Sequence, residues 1–192
     1  MAKHRKSNPG EPVRVAHLAS CVLVTEDVVG AVTTDQTGDP TPCTDMDVSQ
    51  LVDHLVGFAT SFADRALGVS PATDPGSVTA GPRPREAYHD QAVRLVEGYS
   101  GDGPADGATP LAIALIETIC HGWDLATATG QPAPYPDEAA EAALGAAHGF
   151  MQPDYRGPDQ SFGEVVAVPE SAPALDRLVG FMGRDPGWKA PV

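Results

Sequence analysis

A chain of 192 residues, 42% of them hydrophobic, is long enough for one domain with a real core. Its formal net charge of −14 argues against nucleic acid or an anionic membrane surface as a partner, because both need a basic footprint. The three cysteines, Cys21, Cys43 and Cys120, form no CxxC pair and no disulfide framework, which fits a reducing cytoplasm.

Residues 1–11 are polar, contain Pro9 and Gly10, and read as a flexible tail. Residues 12–192 read as a single helical-bundle domain with a C-terminal extension from about 131. Near the start, Lys3, Arg5 and Lys6 precede Leu18-Ala19-Ser20-Cys21, which has the form of a lipoprotein cleavage box. Arg14 and His17 interrupt the apolar stretch before it, so export is not expected. No run reaches the ~20 apolar residues of a membrane span.

Val15, Leu18, Ala19, Val22 and Val29 recur at helical spacing and predict a first helix over about 13–32. A polar loop follows to Pro42. The second helix starts near Asp45 or Asp47, with Thr44 or Asp45 as cap, and puts Leu51, Val52, Leu55, Phe58 and Phe62 on one face. Residues 68–84, rich in Pro and Gly, are a linker, and the third helix covers about 85–99. Thr109 as cap and Pro110 at the first position open the fourth helix, which Gly130 and Pro132 stop. Beyond it lie a helix at 136–151, a short extended piece at 162–169 and a last helix at 172–182. The fold class is therefore all-α.

The fourth helix carries the clearest chemical signal. Glu117 and His121 are four residues apart and share a face, with Asp124 three further along the same stripe. Residues 111–120 are apolar almost all round, so Glu117 is expected to be buried, and a buried carboxylate must be paired or hold a metal. A buried Glu117–His121 pair is the alternative to a metal. His54, beside Leu51 and Phe58, is the candidate third ligand, or else a core histidine with a hydrogen bond. Asp124 either orients His121 through its other ring nitrogen or sits on a solvated helix end. Trp123 and Arg184 are candidates for substrate contact, with packing and a salt bridge as their ordinary readings. Cys120 lies about 100° round the helix from His121 and reads as a core residue. Cys43 reads as packed before the second helix, and His17, His89 and His148 as surface or boundary residues.

Thr41-Pro42-Cys43 with Leu51-Val52-Asp53-His54-Leu55-Val56-Gly57 resembles the helix-two signature of the mycothiol-dependent maleylpyruvate isomerase N-terminal family, in the DinB-like superfamily. Glu117-Thr118-Ile119-Cys120-His121-Gly122-Trp123-Asp124-Leu125-Ala126, followed by Thr129-Gly130-Gln131, resembles its second signature. Phe162-Gly163, Val168-Pro169, Ala172 to Leu178 and Gly183-Arg184-Asp185-Pro186 resemble the tail of a short actinobacterial-type subgroup. The resemblance implies a four-helix bundle in up-down-down-up order with a short C-terminal helical extension. It also implies a divalent metal held by His54, Glu117 and His121. Met46 stands where such proteins usually carry Trp. The isomerase has a further C-terminal domain that this chain is too short to include, so maleylpyruvate itself is not the expected substrate.

Three ligands of N, O and N type leave a coordination position open, as in catalytic rather than structural sites. The donors suit Zn²⁺ best, with Fe²⁺ or Ni²⁺ also compatible. The leading expectation is a thiol-dependent transferase or isomerase that uses a low-molecular-weight thiol such as mycothiol on a small electrophile. Metal-assisted hydrolysis, with Asp53 or Asp124 as base, and a non-catalytic metal- or ligand-binding bundle are the alternatives.

Overall fold

The computed structural model describes residues 12–70, 74–157 and 162–191; the tail expected at 1–11 lies outside the described residues. Among these residues the chain is all-helical: α1 (Val15–Gly30), α2 (Val48–Ala66), α3 (Pro84–Tyr99), α4 (Leu111–Thr129), α5 (Asp137–Phe150) and α6 (Ala174–Phe181). Short 3-10 turns occupy Thr34–Gln36, Pro75–Ser77 and Pro153–Tyr155.

Helix starts differ from expectation where a local hydrogen bond decides them. Asp47, not Thr44 or Asp45, caps α2: its carboxylate accepts from the Gln50 backbone N–H at 2.8 Å, and the Gln50 side chain accepts from the Asp47 N–H at 3.0 Å. This reciprocal box satisfies two otherwise orphaned donors. Upstream, the Thr41 hydroxyl donates to the carbonyls of Cys43 (2.9 Å) and Met46 (2.8 Å), tying the Cys43 loop to the helix start. Helix α4 begins at Leu111, so Pro110 takes the cap position and the Thr109 side chain does not cap. Gly130, at φ 69°, ends α4 as expected: the Gln131 N–H reaches the Ala126 carbonyl at 2.8 Å in a Schellman turn.

Helices α1 and α3, α3 and α2, α2 and α4, and α4 and α1 pack against one another and close a ring. Leu18, Val29, Leu51, Leu95, Leu115, Ile119 and Leu125 fill its centre with little or no exposure. Helix α4 is long and apolar enough to pass for a membrane span by composition, but it is the central core helix, and 67% of that stretch is buried in the protein. Helix α5 packs on α4, and α6 packs on α5. The expected extended piece at 162–169 forms no strand among the described residues. Phe162 makes an isolated bridge to Arg156, and the Val166 N–H donates to the Gly180 carbonyl at 2.9 Å. That bond lays the segment along α6, where one wall for it is available and no second strand is.

His17, expected at the surface or a boundary, is 2% exposed. It forms the start of α1: its Nδ1 accepts from the Arg14 N–H at 3.4 Å, and the Arg14 guanidinium stands 3.0 Å from its Nε2. His89 lies outside, 2.8 Å from a Glu26 carboxylate oxygen, and the His148 ring rests against Phe181.

Candidate metal centre

The packing of α2 on α4 brings together residues far apart in sequence. The ligand-capable atoms of His54, Glu117 and His121 all lie within 4.8 Å of one another. His121 Nε2 is 3.1 Å from Glu117 Oε2, the contact that i, i+4 spacing makes possible on one helical face. The His54 and His121 rings approach to 4.5 Å between centroids, edge to face at 75°. Phe58, one turn after His54, packs against its ring at 4.3 Å between centroids, tilted by 40°.

Behind this cluster, Asp124 is fully buried, so the solvated-end reading of that residue is wrong. Its Oδ2 lies 3.2 Å from His121 Nδ1 and accepts from Arg184 Nη2 at 3.0 Å. Arg184 Nε stands 3.3 and 3.4 Å from the two Asp124 oxygens, and its Nη1 donates to the Met182 carbonyl at 2.9 Å. Arg184 is thus tied to protein acceptors at each of its three nitrogens. Trp123 is buried in the core and does not line the cavity beside the cluster.

Charge follows this arrangement. Burial, reinforced by the nearby positive charge of His121, pulls His54 down from 6.5 to about 4, so its imidazole is neutral at pH 7. Burial pushes Glu117 upward, but the hydrogen bond and charge of His121 outweigh it and hold the carboxyl below its usual range. Asp124 is lowered in the same way, against its burial, by His121 and Arg184. His121 is itself raised: burial opposes its charge, and hydrogen bonds to Asp124, Cys43 and Glu117 prevail.

A metal fits these residues on one particular observation. His54 Nε2 is buried and, among the described residues, has no hydrogen-bond partner. An orphaned buried nitrogen costs on the order of 1–3 kcal/mol unless something occupies it. Neutral imidazole, carboxylate and a second imidazole are the donors a divalent ion takes. A cavity of about 400 Å³ opens beside them, lined by the apolar side chains of Met46, Phe58, Ile116, Phe162 and Met182 and also by Cys43, Asp45 and Arg184.

The carboxylate–imidazole contact was legible from spacing, and the Asp124–Arg184 pair was not. Its partners are 60 residues apart, and no local pattern links them. The place of Cys43 was not legible either: its sulfur groups within 4.8 Å of ligand-capable atoms of His121 and Asp124, in a loop whose shape the Thr41 bonds to the Cys43 and Met46 carbonyls hold. Cys21 and Cys120 are buried thiols pushed up to about 12.

Two proteins of Mycobacterium tuberculosis, Uncharacterized protein Rv0738 of strain ATCC 25618 / H37Rv and Uncharacterized protein MT0763 of strain CDC 1551 / Oshkosh, are each 30% identical to the chain over 156 residues. The match covers 78% of the chain and 86% of each relative. No family model matches the chain, and no solved structure matches it.

Proposed function

The chain belongs to the family of the two Mycobacterium tuberculosis proteins, and we propose that it is a metal-dependent enzyme that joins a low-molecular-weight thiol to a small electrophile or uses that thiol for cis–trans isomerisation. The observation that carries this reading is the buried His54 Nε2, which has no hydrogen-bond partner among the described residues, in a cluster with Glu117 and His121 beside a cavity with one apolar wall. His54, Glu117 and His121 would hold the ion, with zinc favoured by the donor set and iron(II) or nickel(II) next. When bound, it would supply the Lewis acidity that lowers the pKa of a thiol in the open position.

The chain's own residues do the rest. Asp124 accepts from His121 Nδ1 and so presents Nε2 as the ligand nitrogen. Phe58 holds the His54 ring. Met46, Ile116 and Met182 offer an apolar wall that excludes water from the electrophile. A hydrolytic reading needs a free carboxylate base. Asp53 accepts from the Ala80 N–H at 2.7 Å and does not line the cavity beside the cluster, and Asp124 is held by His121 and Arg184, so neither offers a free base to a water in that cavity. Mycothiol as the thiol, a cytoplasmic location, and the absence of nucleic-acid and membrane partners complete the proposal; mycothiol rests on the resemblance to the isomerase family alone.

The test is thiol consumption. Zinc-loaded protein is mixed with mycothiol and an activated alkene, and free thiol is followed against the His54→Ala variant. Faster loss of thiol with the wild type supports the reading. Isomerisation returns the thiol, so conversion of a cis-alkene to its trans isomer is followed in parallel; equal thiol loss and equal conversion with both proteins, across a panel of alkenes, overturns the reading and leaves a binding protein.

A further inference from the structure

Arg184 lines the cavity, where a cation would be expected to grip an anionic substrate. The geometry assigns it another task. We propose that Arg184 is a positioning residue that fixes the His121 ring through Asp124, making the segment after α6 part of the metal centre; this rests on the reading of His54, Glu117 and His121 as ligands.

Four observations converge. Asp124 is entirely buried, and such a carboxylate stays ionised only if its oxygens are bonded. Arg184 supplies a fork, with Nη2 at 3.0 Å and Nε at 3.3 and 3.4 Å. The remaining direction of Asp124 Oδ2 meets His121 Nδ1 at 3.2 Å. Finally, the backbone aims Arg184 without help from the cavity. Gly183 takes φ 87°, its N–H donates to the Gly180 carbonyl at 3.1 Å, and the Arg184 N–H donates to Val179 at 2.9 Å. Those two bonds are the Schellman turn that ends α6. A side chain at Gly183 would also meet the Gly163 backbone at 2.9 Å. The turn therefore fixes the backbone from which Arg184 reaches Asp124, and the bond from Nη1 to the Met182 carbonyl holds the side chain over it. With its nitrogens engaged, Arg184 contributes rigidity to the ligand set, and a small uncharged electrophile suits the apolar wall better than a carboxylate does.

Zinc affinity of the full chain, by competition with a chromogenic chelator, tests this in wild type, Arg184→Ala, Arg184→Lys and Arg177→Ala. Arg177 lies on α6 and pairs with Glu141, away from the cluster, so it reports general loss of α6 packing. The expected result is a loss of about 10- to 100-fold in affinity for Arg184→Ala, the size typical of partners that orient a metal ligand. Lysine, which keeps the charge but not the fork, falls between, and Arg177→Ala matches wild type. A second readout needs no metal. In metal-stripped protein, NMR should show a slowly exchanging His121 Nδ1–H, absent from His121→Gln and lost in Arg184→Ala. Wild-type affinity in Arg184→Ala, an equal loss in Arg177→Ala, or a His121 Nδ1–H unchanged by Arg184→Ala each overturns the proposal. If wild type takes up no zinc, the ligand reading fails, and the fate of that proton alone decides whether Arg184 holds the ring.

Discussion

His54 and His121, 67 positions apart in the chain, bring their rings to 4.5 Å at an angle of 75°, and among the described residues the buried Nε2 of His54 has no hydrogen-bond partner. Two imidazoles this close cannot both carry charge cheaply, since like charges at short range disfavour ionisation. The protein resolves the conflict by giving the proton to His121, which has Glu117 and Asp124 to receive it, and keeping His54 neutral. A neutral imidazole is the protonation state that the proposed metal site needs.

This asymmetry has a pH signature in metal-free protein. His54 titrates near 4 when folded and near 6.5 when unfolded. Between those values the unfolded chain binds a proton at this position that the folded chain refuses, so stability drops as pH falls through the window. Urea unfolding from pH 6.5 to 4 should therefore show a smaller acid loss for His54→Phe than for wild type. An identical pH slope in the two proteins would mean that His54 is not held neutral.

Gly122 lies directly after His121, and a Cβ there would come within 1.9 Å of the Tyr135 hydroxyl and 2.8 Å of Thr25 Oγ1. Those two hydroxyls share a buried hydrogen bond of 2.8 Å that ties α1 to the loop before α5. Gly122→Ala should cost about 1–3 kcal/mol through overpacking. Thermal or denaturant unfolding measures it, and a stable variant with wild-type behaviour would show that α1 and α4 can part to admit a methyl group.

The box at the start of α2 fixes the helix that carries His54. Asp47→Ala removes the acceptor for the Gln50 N–H and is expected to lower stability by about 1 kcal/mol. The same change in Asp45, which does not cap, should leave stability within about 0.5 kcal/mol, as surface substitutions do. Denaturant midpoints of the two variants give the comparison.

Much of this fold can be read from the chain because its signals are local. The apolar face of α2, the continuous apolar run of α4 and the Gly130–Pro132 stop need only neighbours a few residues away. The Glu117–His121 contact is of the same kind, since helical geometry alone makes it. What escapes a linear reading depends on packing between distant segments. Asp124 has the spacing of both an exposed and a buried residue, and the partner that meets it, Arg184, comes from 60 residues further along the chain. The choice of Asp47 over Thr44 or Asp45 as cap turns on which side chain the 41–46 loop leaves facing the helix end. His17 passes for a surface residue until Arg14 covers it. The 162–169 segment has strand-like residues but finds only a helix to lie against.

The most direct test of the account is metal content by elemental analysis, on full-length protein purified without chelator and offered zinc, in wild type, His54→Ala and Glu117→Ala. The account predicts about one ion per chain in the wild type and almost none in either variant, with both variants still helical by circular dichroism. Metal-free wild type, or variants that keep the wild-type content, would contradict it.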